Sequence, residues 1–319
     1  MADTPLIEVN HLKKFFKTGG GWNHAVDDVT FTINKGETLG VVGESGCGKS
    51  TLGRTIIRLL EATDGQVLLN GEDVTHVKGH ALKKARENMQ IVFQDPYSSL
   101  NPRLRVESAV MEPLQYSNKF RSGKAKKEEA QRLMELVGID ERLRQSYPHE
   151  LDGGRRQRVG IARALALNPD FIVCDEPVSA LDVSIQAQVL NLLMDLQDDL
   201  GLSYMFVTHD LSVVKHIANS IMVMYLGQAV EKASSKELFD APLHPYTKAL
   251  LSAIPSVNIH KEKKRIRLTG EITSPINPKP GCRFTARCPY VTEACHQPQQ
   301  LVEVRPDHFV ACCRVNEIN

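Results

Sequence analysis

Gly43-Glu44-Ser45-Gly46-Cys47-Gly48-Lys49-Ser50 is the stretch of this sequence that decides its fold. It follows a short apolar run at residues 39–42 and precedes residues 51–60, which have helical character. The order is therefore strand, glycine-rich loop and helix. Glycines let backbone N–H groups converge on phosphate oxygens without interference from a Cβ atom, and the start of the helix adds the positive end of its dipole. This spacing is that of a P-loop and predicts a nucleoside triphosphate site.

Two side chains of the P-loop have expected roles. Lys49 supplies a mobile cation to the β- and γ-phosphates, and the Ser50 hydroxyl is a predicted Mg²⁺ ligand. The motif does not require the side chain of Cys47. The residues predicted to bind the nucleotide are Gly43, Glu44, Ser45, Gly46, Cys47, Gly48, Lys49, Ser50 and Thr51.

A second element pairs two carboxylates at the end of an apolar run. Residues 171–174 are apolar, and Asp175 and Glu176 follow them directly. The carboxyl end of a strand is where ligands bind in α/β folds. Asp175 is placed to hold Mg²⁺ through water, and Glu176 to polarise the attacking water. Two acidic residues after a strand are weak evidence for catalysis by themselves, but a P-loop in the same chain favours the catalytic interpretation.

Strand-like and helix-like segments alternate along the chain, which favours a largely parallel sheet covered on both faces. Residues 96–163 are charged and helix-forming, so we expect a helical insertion there. The predicted fold is an α/β P-loop NTPase fold with an N-terminal β-subdomain. The predicted strands lie at residues 6–9, 26–33, 39–42, 66–69, 89–93, 171–174, 204–207 and 221–225, and the predicted helices at 51–60, 124–137, 185–200 and 211–219.

Composition limits the possible partners. The chain has 319 residues, 42% of them hydrophobic, and a formal net charge of +1, which gives no whole-chain argument for binding nucleic acid. No apolar run approaches the ~20 residues that span a bilayer. The start, MADTPLIEVN, lacks a cationic apolar leader. We therefore expect a cytosolic chain that serves a membrane process, if any, by docking onto another chain.

Four further motifs carry a resemblance to the ATPase subunits of ABC transporters, over roughly residues 5–235. Residues 151–155 resemble the ABC signature, residues 179–182 the D-loop, Gln94 the Q-loop glutamine and His209 the switch histidine. The resemblance implies a RecA-like core. The signature residues are Leu151, Asp152, Gly153, Gly154 and Arg155, and the D-loop residues are Ser179, Ala180, Leu181 and Asp182.

The resemblance also implies roles. The signature glycines reach the γ-phosphate of ATP held by a partner subunit, so that each site is split between two chains. The implied catalytic residues are Glu176, His209 and Gln94, and the implied Mg²⁺ ligands are Ser50, Gln94 and Asp175. The adenine stacks on an aromatic ring near the amino end, with Phe16 as first choice and Phe15 and Trp22 as rivals.

Asp152 departs from the family pattern, which has serine at this position. An ionised carboxylate cannot donate a hydrogen bond to the γ-phosphate and repels it. Arg155 adds positive charge nearby. Either the half-site offered to the partner is weaker, or the Asp152 side chain turns away from it.

Three strings narrow the resemblance to oligopeptide and dipeptide importers, F-type subunit. They are residues 94–103, 175–188 and 243–251. In that family a D-type and an F-type ATPase pair at the cytoplasmic face of the membrane, beneath two transmembrane permease subunits. An extracytoplasmic binding protein delivers the peptide. The rival interpretations are a soluble ABC protein of translation or DNA repair, and a catalytically weak regulatory partner ATPase.

The last forty residues are rich in cysteine. We divide the chain into a nucleotide-binding domain at residues 1–235 and an extension at 236–319, called the tail below. The tail resembles the family's C-terminal module, which carries a four-iron, four-sulfur cluster on four cysteines. Four thiolates also suit zinc, so Zn²⁺ is the alternative. The predicted ligands are Cys282, Cys288, Cys295 and Cys312, with Cys313 as a possible replacement for Cys312.

Overall fold

A computed structural model describes residues 4–117, 119–120, 122–254, 265–271 and 273–319. Twelve strands and eleven α-helices are assigned within these ranges. The strands are β1 (Ile7–Thr18), β2 (Gly21–Ile33), β3 (Thr38–Val42), β4 (Asp64–Leu69), β5 (Glu72–Asp73), β6 (Met89–Val92), β7 (Phe171–Asp175), β8 (Ser203–Thr208), β9 (Ser220–Tyr225), β10 (Gln228–Ser234), β11 (Val302–Arg305) and β12 (His308–Val310). The helices are α1 (Lys49–Ile56), α2 (Gly79–Asn88), α3 (Pro96–Ser99), α4 (Val106–Tyr116), α5 (Gly123–Leu136), α6 (Gly153–Leu165), α7 (Val183–Leu200), α8 (Leu211–Ile217), α9 (Ser235–Asp240), α10 (Pro245–Ser252) and α11 (Val315–Ile318).

The larger sheet has eight strands in the order β11-β12-β10-β9-β3-β8-β7-β6. Its five strands from β9 to β6 are parallel, whereas β10, β12 and β11 continue it in antiparallel register. Every residue of β3, β7 and β8 is buried. Strands covered on both faces read as continuous apolar runs, which is why the sequence identified them. The predicted α/β P-loop fold is confirmed.

The second sheet is antiparallel, has four strands in the order β2-β1-β4-β5, and forms the predicted N-terminal β-subdomain. Its apolar face packs on α1 and on one face of the larger sheet. Leu12 and Val29 from this sheet, Leu52 and Ile56 from α1, and Met222 from β9 share one buried cluster. This cluster fixes the start of α1, and therefore the P-loop, relative to both sheets.

The helical insertion is built from α3 to α6. Leu114 of α4, Leu133 of α5 and Val159 of α6 are buried in the second apolar cluster, which extends to the other face of the larger sheet. Because α6 leads directly into β7 through a short loop, the insertion is tied to the strand that ends in Asp175. In the part of the chain that the structure describes, each helix is too short or too polar to cross a bilayer.

The tail adds to the main sheet, which the sequence did not suggest. Strand β12 pairs with β10, with Val310 opposite Glu231. Glu231 is fully buried and accepts hydrogen bonds from the backbone N–H groups of Leu243 and His244, at 2.7 and 2.9 Å, and contacts His308 Nε2 at 2.7 Å. Burial of Phe284 in the apolar cluster of the larger sheet adds to the stability of the tail.

Candidate active site

A cavity of about 590 Å³ opens at the carboxyl ends of β3, β7 and β8. We call it the nucleotide cavity. It brings together residues from the P-loop, the Q-loop, the carboxylate pair, the switch histidine and the tail. Its lining consists of Phe16, Asn23, His24, Ala25, Ser45, Gly46, Gly48, Lys49, Ser50, Thr51, Gln94, Glu176, His209, Leu226, Gly227 and Pro275.

The P-loop needs glycine at two positions for reasons of space as well as conformation. Gly43 has φ 153° and Gly48 has φ 104°, values that L side chains rarely adopt. A Cβ at Gly43 would lie 2.2 Å from the carbonyl oxygen of Met224, and one at Gly48 would lie 2.0 Å from that of Ala25. The loop is therefore pressed against β9 and β2, and its backbone N–H groups face the cavity from a fixed position.

Lys49 is the first residue of α1 and is only 4% exposed. Its Nζ donates hydrogen bonds to the carbonyl oxygens of Gly43 at 2.8 Å and Glu44 at 3.0 Å. The ammonium group thus lies inside the curve of the loop, next to the predicted phosphate position. Cys47 is buried, and burial raises the pKa of its thiol, which keeps it neutral beside Lys49.

Ser50 and Asp175 meet at the floor of the cavity. The Ser50 hydroxyl donates to Asp175 Oδ1 at 2.6 Å, and Arg54 donates to Asp175 Oδ2 at 3.1 Å. Mg²⁺ prefers oxygen ligands such as hydroxyl and carboxylate groups, so this pair suits the predicted Mg²⁺ ion. Arg54 was not predicted. Its guanidinium group fixes the second oxygen of a carboxylate that is 1% exposed.

Gln94, Glu176 and His209 converge, although they follow three different strands. Gln94 Nε2 donates to Glu176 Oε2 at 3.0 Å, and His209 Nδ1 lies 3.3 Å from Glu176 Oε1. Glu176 adopts φ 48°, a strained value for a residue with a side chain. The hydrogen bond from its N–H to the Val207 carbonyl, 2.9 Å long, holds it there. The strain aims the carboxylate into the cavity.

Of the three aromatic rings proposed for adenine, Phe16 lines the cavity. Phe15 stacks on His24 with ring centroids 3.9 Å apart, and Trp22 is half exposed. Lys14 lies over the Phe16 ring at 4.8 Å. Beside Phe16 the wall is completed by His24 and by Pro275 of the tail. The geometry therefore favours Phe16 among the rings.

The signature residues 151–155 lie outside the lining of the nucleotide cavity, at the start of α6. Asp152 is the N-cap of this helix: its side chain accepts a hydrogen bond from the Arg155 N–H at 2.8 Å. The Arg155 Nε also lies 3.4 Å from Asp152 Oδ2. Of the two alternatives for Asp152, the structure shows the carboxylate turned onto its own helix, in a role that serine also fills.

The signature and the D-loop pack against each other. A Cβ at Gly154 would lie 2.5 Å from Ile185 Cγ2, and one at Gly153 would lie 3.0 Å from Leu181. The Ser179 hydroxyl donates to the Glu176 carbonyl at 3.1 Å. The D-loop is thus in contact with both the Glu176 backbone and the signature, and its last residue, Asp182, caps α7.

All five tail cysteines line one small cavity, the cysteine cavity, with His244, Phe284, Tyr290 and Ile318 among its other walls. Cys295 Sγ and Cys313 Sγ are 3.8 Å apart. Burial raises the pKa of Cys282 to about 12. Over the ranges that the structure describes, no three metal-binding side chains stand at the spacing of a formed metal site. The thiols therefore converge without forming a coordination shell.

The tail also contacts the P-loop, which no sequence motif predicted. Arg287 donates to both oxygens of Glu44, at 2.7 and 3.0 Å. Arg283 pairs with Asp27 of β2 and donates to the Leu226 carbonyl. The partners are 243 and 256 residues apart, and no local motif links them.

Comparison with known proteins now gives the chain a family. Residues 26–179 match the ABC transporter family, and residues 230–295 match the oligopeptide/dipeptide transporter C-terminal region. The oligopeptide transport ATP-binding protein AppF of Bacillus subtilis (strain 168) is 49% identical over 318 residues, covering 96% of each chain. The dipeptide transport ATP-binding protein DppF of Haemophilus influenzae is 48% identical over 321 residues, covering 98% of each chain.

The chain belongs to the ATP-binding proteins of oligopeptide/dipeptide ABC transporters. It is the ATP-binding subunit, and the ATPase, of a peptide importer of this family. The predicted family and function are confirmed. Because this one chain matches both the ABC transporter family and the oligopeptide/dipeptide transporter C-terminal region, the interpretation as a translation or DNA repair protein is not supported.

Solved structures show the same fold. The chain is similar to CbiO1 of Clostridium perfringens, part of the cbiONQ ABC transporter complex, with a TM-score of 0.67 and 27% identity over 75% of this chain and 92% of that one. It is also similar to the ATP-binding cassette MJ0796, solved as a dimer bound to ADP and phosphate. That comparison has a TM-score of 0.65 and 30% identity over 72% of this chain and 98% of that one.

Proposed function

We propose that the nucleotide cavity binds ATP and hydrolyses it, and that the roles of its residues are those implied by the motifs. The observation that carries this proposal is the convergence of Gln94, Glu176 and His209 next to the Ser50–Asp175 pair. A carboxylate, an amide and an imidazole then surround the point where water would attack the γ-phosphate. This is the arrangement that phosphoryl transfer requires, since its catalysis is positioning and charge stabilisation.

The P-loop and Lys49 bind the phosphates. Backbone N–H groups of the loop and the N-terminus of α1 face the phosphate oxygens, and the Lys49 ammonium neutralises part of their charge. Ser50 and Asp175 would hold Mg²⁺, which when bound neutralises charge on the β- and γ-phosphate oxygens. Arg54 orients the Asp175 carboxylate through a hydrogen bond of 3.1 Å.

Glu176 orients and polarises the attacking water. Gln94 and His209 hold its two oxygens in place, and His209, which is largely exposed toward the cavity mouth, is free to contact the γ-phosphate as well. Its imidazole then stabilises the charge that spreads over the phosphate oxygens in the transition state.

A second ATPase subunit of the D type completes the site. The signature lies at the start of α6, outside the lining of this chain's own cavity, so its N–H groups are presented to another subunit. Asp152 contributes as the helix cap, and Arg155 adds positive charge at the same surface. Closure of the two subunits around ATP and reopening after hydrolysis drive the transport cycle.

The assembly places this chain peripherally at the cytoplasmic face of the membrane, under two permease subunits. A groove of about 360 Å³ between β6 and the helical insertion supports this proposal. Phe93, Tyr116 and Leu167 are among its lining, and Tyr116 is largely exposed. Because Gln94 directly follows Phe93, a permease segment in this groove would lie next to the Q-loop. Identification of the copurifying chains by mass spectrometry tests the assembly.

The decisive test of function is Glu176→Gln in this chain alone, measured as steady-state ATPase of the assembled complex. The amide cannot polarise water, so we expect turnover to fall by about a hundredfold or more, with ATP binding retained. Glu61→Gln, the same change at an exposed residue, is the control. Unchanged turnover in Glu176→Gln would contradict the proposed role of this chain's cavity in hydrolysis.

We further propose that the cysteine cavity holds a four-iron, four-sulfur cluster on Cys282, Cys288, Cys295 and Cys312. Its support is that five thiols line one largely apolar cavity, a donor set that suits iron–sulfur or zinc ligation. Anaerobically purified chain should absorb near 400 nm and contain iron and inorganic sulfide. A colourless, zinc-loaded protein would reject the cluster. Cys313→Ser should leave the absorption intact. If the absorption disappears in Cys313→Ser, Cys313 replaces Cys312 as the fourth ligand.

A further inference from the structure

The side chain of Glu44, the second residue of the P-loop, is bound by a side chain of the tail. Arg287 Nη1 donates to Glu44 Oε2 at 2.7 Å and Nη2 to Oε1 at 3.0 Å, which makes a two-point ion pair. The Arg287 side chain is 10% exposed. The Glu44 side chain is 28% exposed, so the pair is partly shielded from water, and both hydrogen bonds set its geometry.

The tail also holds the backbone of Glu44. The Tyr246 hydroxyl accepts a hydrogen bond from the Glu44 N–H at 2.9 Å. Tyr246 is buried and packs edge-on against Tyr225, with centroids 4.7 Å apart, and against Phe284 at 5.4 Å. Both contacts to Glu44 thus come from residues that lie beyond the segment carrying the nucleotide motifs.

We propose that Arg287 is a positioning residue for the P-loop, and that through it the tail sets the affinity of this chain for ATP. The proposal rests on the ATP site proposed above. P-loop N–H groups bind phosphate only if they are held in place beforehand. In addition, a free Glu44 carboxylate would repel the tetra-anion, whereas Arg287 draws it into a neighbouring groove with Arg265 and Arg267.

The position of Arg287 depends in turn on the cysteine segment. Arg287 is the last residue of the short turn Thr285–Arg287, which lies between Cys282 and Cys288. The Thr285 N–H donates to the Cys282 carbonyl at 3.3 Å, and the Cys288 N–H to the Thr285 carbonyl at 3.4 Å. A group bound by these two cysteines would therefore fix the turn that presents Arg287 to the P-loop.

The test is MgATP binding by the purified full-length chain, measured by isothermal titration calorimetry. Arg287→Gln should raise the Kd about tenfold. Glu44→Gln combined with Arg287→Gln should bind within about threefold of Glu44→Gln alone, because the repelling carboxylate is gone. Arg287→Lys should recover part of the loss. Arg305→Gln, which breaks the tail's half-exposed pair with Glu237, should leave the Kd unchanged.

In assembled complexes, Arg287→Gln should raise the KM for ATP and leave kcat within about twofold, since Arg287 acts on binding. A wild-type Kd in a folded Arg287→Gln chain, or losses that simply add in the double variant, would overturn the inference alone. If Arg287→Gln does not fold, Tyr246→Phe must raise the Kd about fivefold, and no change there overturns the inference too. Failure of the wild-type chain to bind MgATP would overturn the proposed function as well.

Discussion

The Arg287–Glu44 contact joins the neighbourhoods of two cavities: Glu44 precedes Ser45 of the nucleotide cavity, and Arg287 precedes Cys288 of the cysteine cavity. The two cavities are built in opposite ways. The nucleotide cavity draws on short strings whose members are neighbours in sequence, such as residues 43–51 and 175–176. The cysteine cavity draws on residues scattered through the tail, and one of its walls, Phe284, packs edge-on against Tyr225 of the main domain. Spacing alone identifies the first site, whereas the second was anticipated only through the resemblance of the tail.

This difference shows which functional features leave a recognisable sequence motif and which do not. Chemistry that needs fixed spacing, such as backbone N–H groups around a phosphate, leaves a motif. Coupling between two regions needs only that two side chains meet. Arg287 meets Glu44 across 243 residues, and neither residue is unusual in its local sequence. The tail is therefore better described by its contacts to the P-loop and β2 than by its cysteines alone.

The largest effect should come from breaking the tail's buried anchor, Arg283. Its side chain is 5% exposed and pairs with Asp27, which is 17% exposed. Arg283→Ala removes the buried guanidinium from both Asp27 and the Leu226 carbonyl and leaves Asp27 only its contact with His24 Nδ1 at 3.0 Å, so we expect the free energy of unfolding to fall by about 3 kcal/mol. Urea denaturation measures it. Arg305→Ala, which removes a half-exposed pair, should cost under about 1 kcal/mol.

That experiment distinguishes a docked tail from an independent one. If the tail folded separately, Arg283→Ala would leave the unfolding of the main domain at its wild-type midpoint. A single transition shifted as a whole is the result that the contacts between Arg283, β2 and Leu226 predict.

An intermediate effect is expected at the adenine end of the nucleotide cavity. Phe16→Ala removes the ring that lines the cavity, and stacking of a base on an aromatic ring is worth about 1–3 kcal/mol. The Kd for MgATP should therefore rise about fivefold to 150-fold. Phe15→Ala, which disturbs the stack on His24 instead, is the matched variant. An equal or larger loss of MgATP affinity in Phe15→Ala would show that Phe16 is not the ring on which the adenine stacks.

The smallest effect is expected at the signature. Asp152→Ser keeps the N-cap of α6 and should leave stability nearly unchanged, whereas Asp152→Ala should cost about 1 kcal/mol. If serine and alanine destabilise the chain equally, the capping role is wrong. In assembled complexes, higher turnover in Asp152→Ser than in wild type would show that the carboxylate also weakens the partner's ATP site.

The sequence predicted the core of the fold because buried parallel strands appear as continuous apolar runs, as at residues 171–174. It also grouped Gln94, Glu176 and His209, and the structure brings these three side chains together in the nucleotide cavity. It did not predict Arg54 on Asp175, Pro275 in the cavity wall or β12 on β10. These contacts depend on packing between distant segments, which leaves no periodic or local pattern.

The turn that carries Arg287 also offers the most direct test that the tail and the P-loop act as one unit. Coupling is reciprocal: if the tail raises the affinity for ATP, then ATP must stabilise the tail's contact. Hydrogen–deuterium exchange of the Arg287 and Cys288 amides, which donate to Phe284 and Thr285, reports on that turn. We predict that MgATP slows their exchange in the wild-type chain and much less in Arg287→Gln. Exchange that is the same with and without MgATP in the wild type would contradict the account.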